Sequence, residues 1–201
     1  MRNPLKSLYN WVLTWAQSPF GAWALFILAF AESSFFPIPP DVLLIALGIS
    51  IPVKSFRYAL ICSIGSVLGG MFGYLIGWQF WQWMGEFFFN NLGSVGFTRA
   101  NFDLVQKLYS DNAFLAVFTA AFTPIPYKVF TIAAGVFNID FGIFVLASAI
   151  GRPLRFFMVA AIVYFGGAPA KRFIERYFNL LTSIFVILII LGFIVIKFLV
   201  R

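Results

Sequence analysis

Between residues 56 and 83 the chain runs through 28 positions with a single charged side chain, Arg57. A helix needs about 20 apolar residues to cross the hydrocarbon core of a bilayer, so this stretch is long enough to cross with tilt. Trp78, Trp81 and Trp83 mark its interfacial end. Gly65, Gly69, Gly73 and Gly77 recur at a spacing of four and lay a smooth stripe down one helical face. Another backbone can approach closely along it, either as ordinary small-residue packing or beside a substrate path.

The rest of the chain follows the same pattern. Hydrophobic residues make up 62% and charged residues 10%, against about a quarter charged in a soluble domain, which leaves too little polar surface for water. The expected organisation is one all-α membrane domain over residues 1–201. Residues 1–18 form an amphipathic interfacial helix, unless they are the first turns of a longer spanning helix that reaches Phe36. Residues 20–53 and 112–138 each hold two apolar arms, short of a full span, around a proline cluster, as in a re-entrant hairpin. Residues 56–83, 141–165 and 177–196 are crossings, giving three to four transmembrane helices. Residues 84–111 are a polar extramembrane loop with one short helix.

The residue census narrows the chemistry. The chain has no histidine and one cysteine, Cys62, so an internal disulfide is impossible and a zinc site would lack its usual ligands. Serine–histidine catalysis is excluded, and no acid pair is placed like a protease dyad. The expectation is a non-enzyme with no metal and no cofactor. The net charge of +7 sits at the ends of apolar segments, which suits anionic lipid rather than nucleic acid.

An internal match orders these pieces. Pro37-Ile-Pro-Pro-Asp-Val-Leu-Leu-Ile-Ala-Leu-Gly48 lines up with Pro124-Ile-Pro-Tyr-Lys-Val-Phe-Thr-Ile-Ala-Ala-Gly135, 87 positions later, with seven of twelve residues identical. One crossing separates the copies, so two hairpins that each enter and leave on one side enter from opposite sides. Inverted repeats with broken helices point to a transporter-like site near the bilayer midplane. Pro37, Pro39, Pro40, Pro124 and Pro126 are the helix breaks, and the carbonyls they free must be satisfied by protein or water.

Five ionisable residues in or beside the apolar segments are the candidate substrate- and proton-binding groups: Glu32, Asp41, Lys128, Arg152 and Arg155. Asp41 and Lys128 occupy matching positions of the repeat. A carboxylate suits the positive end of the second arm, whereas a lysine there calls for an anion, either Asp41 or a substrate phosphate. Glu32 is either a proton carrier or the neutralising partner of Arg152 or Arg155. Those arginines share a helical face, with Pro153 between them to loosen the helix. They serve either structural salt bridges or the binding of a phosphate headgroup.

The runs Glu32-Ser-Ser-Phe-Phe-Pro-Ile-Pro-Pro-Asp41, Thr123-Pro-Ile-Pro-Tyr-Lys128 with Ala134-Gly135, and Gly151-Arg-Pro-Leu-Arg-Phe156 resemble the DedA family, whose domain is also called the VTT or SNARE-associated Golgi protein domain, and its short YqaA-like branch in particular. The resemblance covers about residues 20–165 and extends to VTT-domain lipid scramblases of eukaryotes. It implies movement of phospholipid or undecaprenyl phosphate across a bacterial inner membrane, in some members with proton coupling, and functional acids at Glu32 and Asp41. Longer members carry arginines where this chain has Ala121 and Tyr127, which shifts the basic role toward Lys128, Arg152 and Arg155. The expected function is therefore a lipid transporter or scramblase. A proton-coupled small-ion or solute carrier and a non-transporting assembly factor are the alternatives. The positive-inside rule places the N-terminus and the loops at Lys54–Arg57 and Lys171–Arg176 on the cytoplasmic side.

Overall fold

In the computed structural model of the chain, the described residues are 20–91, 98–123 and 125–166, and they contain helices and no strands. Seven helices follow in order: α1 (Gly21–Ser34), α2 (Asp41–Ser50), α3 (Ser55–Asn91), α4 (Arg99–Asp111), α5 (Ala113–Phe122), α6 (Tyr127–Val136) and α7 (Phe141–Gly166). A 3-10 turn, Pro52–Lys54, leads into α3. The interfacial helix expected over residues 1–18, the crossing expected over 177–196, the basic loop at 171–176 and the break at Pro124 lie outside the described residues.

Two of the described helices, α3 and α7, are long and apolar enough to cross a membrane. At a rise of 1.5 Å per residue they measure about 55 Å and about 39 Å, against a hydrocarbon thickness of about 30 Å. α1, α2, α5 and α6 have 14, 10, 10 and 10 residues, so each reaches at most about 21 Å. Pro40 precedes α2 and Pro126 precedes α6 as the capping residues, where the missing N–H is one no helix would have used. Helix α7 continues through Pro153 without interruption.

Helix α3 runs on past Trp83 to Asn91, into the segment whose polar composition suggested a loop. Its extra turns are held by α4: Trp81 stacks on Phe102 at 4.6 Å, and Arg99 pairs with Glu86 at 2.7 Å. Thr98 caps α4 through the backbone N–H of Asn101. Gln106 and Tyr109 of α4 donate to the carbonyls of Phe137 and Phe130 at 2.7 and 2.9 Å, and burial pushes the Tyr109 hydroxyl above the usual phenol range.

The core divides into two clusters. In the first, Leu25 and Ala29 of α1 and Leu43, Leu44 and Leu47 of α2 meet Ala59 and Cys62 of α3 and Phe156 and Ala160 of α7. In the second, Val117 and Ala121 of α5 and Ala134 of α6 meet Tyr74 of α3 and Phe144 and Ala147 of α7. The start of α3 shares a cluster with the end of α7, and the middle of α3 one with the start of α7, so the long helices run in opposite directions with one short helix pair toward each end of α7.

The glycine stripe is where both pairs seat on α3. A Cβ at Gly65 or Gly69 would collide with the carbonyl oxygens of Phe26 and Phe30 on α1, and one at Gly73 or Gly77 with Thr131 and the Ile132 carbonyl on α6. The stripe therefore brings backbones into contact, as small-residue packing in membranes does. Helix α6 ends in a left-handed cap: Asn138 has φ 49°, Ile139 N–H bonds to Ala134 O at 2.9 Å, and Asn138 N–H to Gly135 O at 3.1 Å.

Candidate functional site

The charged residues within the apolar bundle meet where the two helix pairs touch α7. Glu32 sits in the last turn of α1, Asp41 opens α2, and Arg152 and Arg155 lie one turn apart near the middle of α7. Arg152 pairs with Glu32 at 2.9 Å, with side chains 3% and 12% exposed; Arg155 pairs with Asp41 at 2.9 Å, with side chains 18% and 19% exposed. The carboxylate of Asp41 also suits its place in the first turn of a helix, where unpaired N–H groups carry partial positive charge.

Each arginine is also held from the second pair. The guanidinium of Arg152 lies 4.8 Å from the ring centre of Tyr127 and 4.7 Å from that of Phe156. It donates to Ser66 and, at 3.3 Å, to Ser33, and these two hydroxyls are 2.6 Å apart. Arg155 donates to the Thr123 carbonyl at 2.5 Å, just before the second break. The buried Tyr127 hydroxyl donates to Ser148 at 2.5 Å, which fixes the ring under Arg152. Thr131 of α6 donates to the Ser33 carbonyl at 3.1 Å.

Lys128 does not pair with Asp41, one of the two partners the sequence suggested for it. Its ammonium donates to the Phe36 carbonyl at 2.9 Å, just before the first break, while Asp41 is engaged by Arg155. The ammonium thus answers a carbonyl freed by the prolines rather than a carboxylate. Ser33, Ser66, Thr123, Tyr127, Thr131 and Ser148 complete the network and were not singled out by sequence reasoning. The serines and Thr131 stand out only as hydroxyls inside apolar runs, which is a weak signal, and Thr123 contributes a main-chain atom.

Among the described residues no buried side-chain nitrogen or oxygen lacks a partner, and no three cysteines or acids gather as a metal site would need. The cluster is closed on itself: two carboxylates, three cations and the freed carbonyls satisfy one another. A ligand entering here must displace one of those partners, and the Arg155–Asp41 pair is the more accessible of the two.

Long apolar helices, broken short ones and charges gathered between them define a helical membrane protein. The chain belongs to the VTT-domain family, the DedA family, whose pattern matches residues 38–165. It is 32% identical over 191 residues to an uncharacterised protein of Haemophilus influenzae, covering 95% of this chain and 97% of that one. It is 30% identical over the same length, with the same coverage, to an uncharacterised protein of Histophilus somni. No solved structure matches it.

Proposed function

We propose that the protein is a lipid transporter or scramblase of the bacterial inner membrane, passing the headgroup of an anionic phospholipid or a polyprenyl phosphate between the two broken helix pairs. In this reading the pairs are re-entrant hairpins of an inverted repeat, entering the bilayer from opposite sides. The observation that carries it is the bridging of both breaks by cations: Arg155 between Asp41 and the Thr123 carbonyl, and Lys128 on the Phe36 carbonyl.

A phosphate oxygen competes with Asp41 for the planar fork of Arg155 and with a neutral carbonyl for Lys128. The five charged side chains sum to one net positive charge, so an anion is the ligand the site can neutralise. Arg152, more deeply buried and enclosed by aromatic rings, stays with Glu32 and holds the frame. No covalent step is involved.

The test is lipid flip-flop in vesicles holding the purified chain, read with headgroup-labelled phosphatidylglycerol and an impermeant reductant. Wild type should expose the inner-leaflet label, and Asp41→Asn should abolish this while remaining monodisperse. Arg155→Ala should weaken anionic-headgroup binding more than it lowers expression. If wild-type vesicles bleach no faster than protein-free ones, the lipid-transport reading fails. The closed pairing is also what a non-transporting assembly factor would need, and that result would favour it. Proton coupling is tested by Glu32→Gln: activity that keeps its wild-type pH dependence removes Glu32 as the carrier.

A further inference from the structure

Helix α4 lies outside the charged cluster and has three contiguous sectors around its axis. Phe102, Gln106 and Tyr109, spaced i, i+4 and i+7, face the rest of the protein and make its ring contacts and hydrogen bonds. Asp103, Lys107, Ser110 and Asp111 form a polar sector. Leu104, Val105 and Leu108 form an apolar one, and they remain between 46% and 58% exposed. Water on every free side would favour the polar sector alone.

Two further observations set what the apolar sector meets. Trp81, stacked on Phe102, belongs to the tryptophan-rich end of α3, and tryptophans of a spanning helix settle at headgroup depth. Through that stack α4 sits at the same depth. On the apolar side, α4 and α6 enclose a groove of about 300 Å³ lined by Val105, Leu108, Tyr109, Val129, Phe130 and Ala133. Val129 on its wall is 57% exposed, so the groove opens onto an apolar surface.

We propose that α4 is an interfacial helix, lying in the headgroup layer with its Leu104–Val105–Leu108 edge in the leaflet, and that a lipid acyl chain fills the groove between α4 and α6. The proposal departs from the expectation of a fully extramembrane connector. It rests on the chain being a membrane protein and not on lipid transport. A helix of this kind binds a bilayer through buried apolar area. Here it also ties the end of α3 to the second helix pair, so the groove puts a lipid contact beside that pair.

The experiment uses the full chain with Cys62→Ala and single cysteines at Leu104, Val105, Leu108, Asp103 or Lys107. Each is labelled with an environment-sensitive fluorophore in phosphatidylglycerol–phosphatidylcholine vesicles. Labels at Leu104, Val105 and Leu108 should be blue-shifted and quenched by lipids with a doxyl group high on the chain. Those at Asp103 and Lys107 should be quenched by aqueous iodide. Equal iodide quenching at all positions overturns the proposal, because α4 then stands clear of the membrane. Protection from both quenchers at Leu108 also overturns it, because a second copy or a protein partner then covers the sector. For the groove, Ala133→Trp should lower doxyl quenching at Val105 but not at Leu104. Unchanged quenching at Val105 in a folded variant means no chain occupies it.

Discussion

The two broken helix pairs share a sequence pattern around their prolines and differ in charge. Phe36 and Thr123 occupy the same position of the 87-residue repeat, and each offers its carbonyl at the point where the prolines interrupt the helix. In the second copy the residue five positions on is Lys128, which can donate, and it reaches across to the Phe36 carbonyl directly. In the first copy the matching residue is Asp41, which can only accept. The Thr123 carbonyl is therefore served by Arg155, and Asp41 holds that guanidinium in place. One repeat satisfies its partner with a single side chain; the other needs an adapter from α7.

The long helices complete the asymmetry. At the positions of α3 that match Arg152 and Arg155, the chain has Gly65 and Leu68. Gly65 lets the Phe26 carbonyl of α1 come within 2.6 Å of where a Cβ would stand. Helix α3 thus joins its neighbours by backbone contact, and α7 joins the two pairs by charge.

The largest effect should come from breaking the buried charge pair. Arg152→Ala leaves the Glu32 carboxylate in the bundle without its cation, at a cost of about 3–5 kcal/mol. Combining Arg152→Gln with Glu32→Gln should recover much of it, because no unpaired charge remains. Unfolding of the purified variants in detergent measures this, and a double variant no better than Arg152→Ala would show that the pair does not account for the loss.

Next comes the backbone contact of α3. Gly69→Leu places a side chain against the Phe30 carbonyl, and overpacking of that kind costs about 1–3 kcal/mol. Fluorescence-detected gel filtration after heating should show an earlier loss of the monodisperse peak. The same substitution at Leu68, whose side chain already faces outward and is 42% exposed, has no counterpart; Leu68→Ala should leave the peak unchanged.

The adapter itself can be tested by making the copies alike. Asp41→Lys should destabilise the protein, because it sets a cation against Arg155. Adding Arg155→Leu should restore part of the loss if Lys at position 41 then reaches the Thr123 carbonyl as Lys128 reaches that of Phe36. No restoration would mean that the breaks are not equivalent in geometry.

Much of this arrangement was legible beforehand. Proline spacing located the breaks because proline removes a donor wherever it stands, and the cost of charge in a membrane drew Glu32, Asp41, Arg152 and Arg155 together. Which acid faces which arginine was not legible, since the partners are more than 100 residues apart and both acids suit either cation. The extension of α3 to Asn91 was hidden because Glu86, Asn90 and Asn91 read as loop until Trp81 and Phe102 are seen to stack. The Phe36 carbonyl was not foreseen as a partner of Lys128 for a simpler reason: it is a main-chain atom, which no residue type announces.

The smallest expected effect concerns that same lysine and separates its two roles. Lys128→Met keeps the length and apolar stem of the side chain and removes only the donor to Phe36. The bond is charge-assisted but partly accessible, so its loss should cost about 1 kcal/mol, within the range for an intramolecular hydrogen bond. Lys128→Arg should restore the donor and with it the stability. If Lys128 also receives a phosphate, Lys128→Met should slow movement of labelled phosphatidylglycerol well beyond what that small loss of stability explains. Labelled lipid of no net charge should be less affected, because its headgroup depends less on the surplus cation. Equal slowing of both lipids would confine Lys128 to closing the first break.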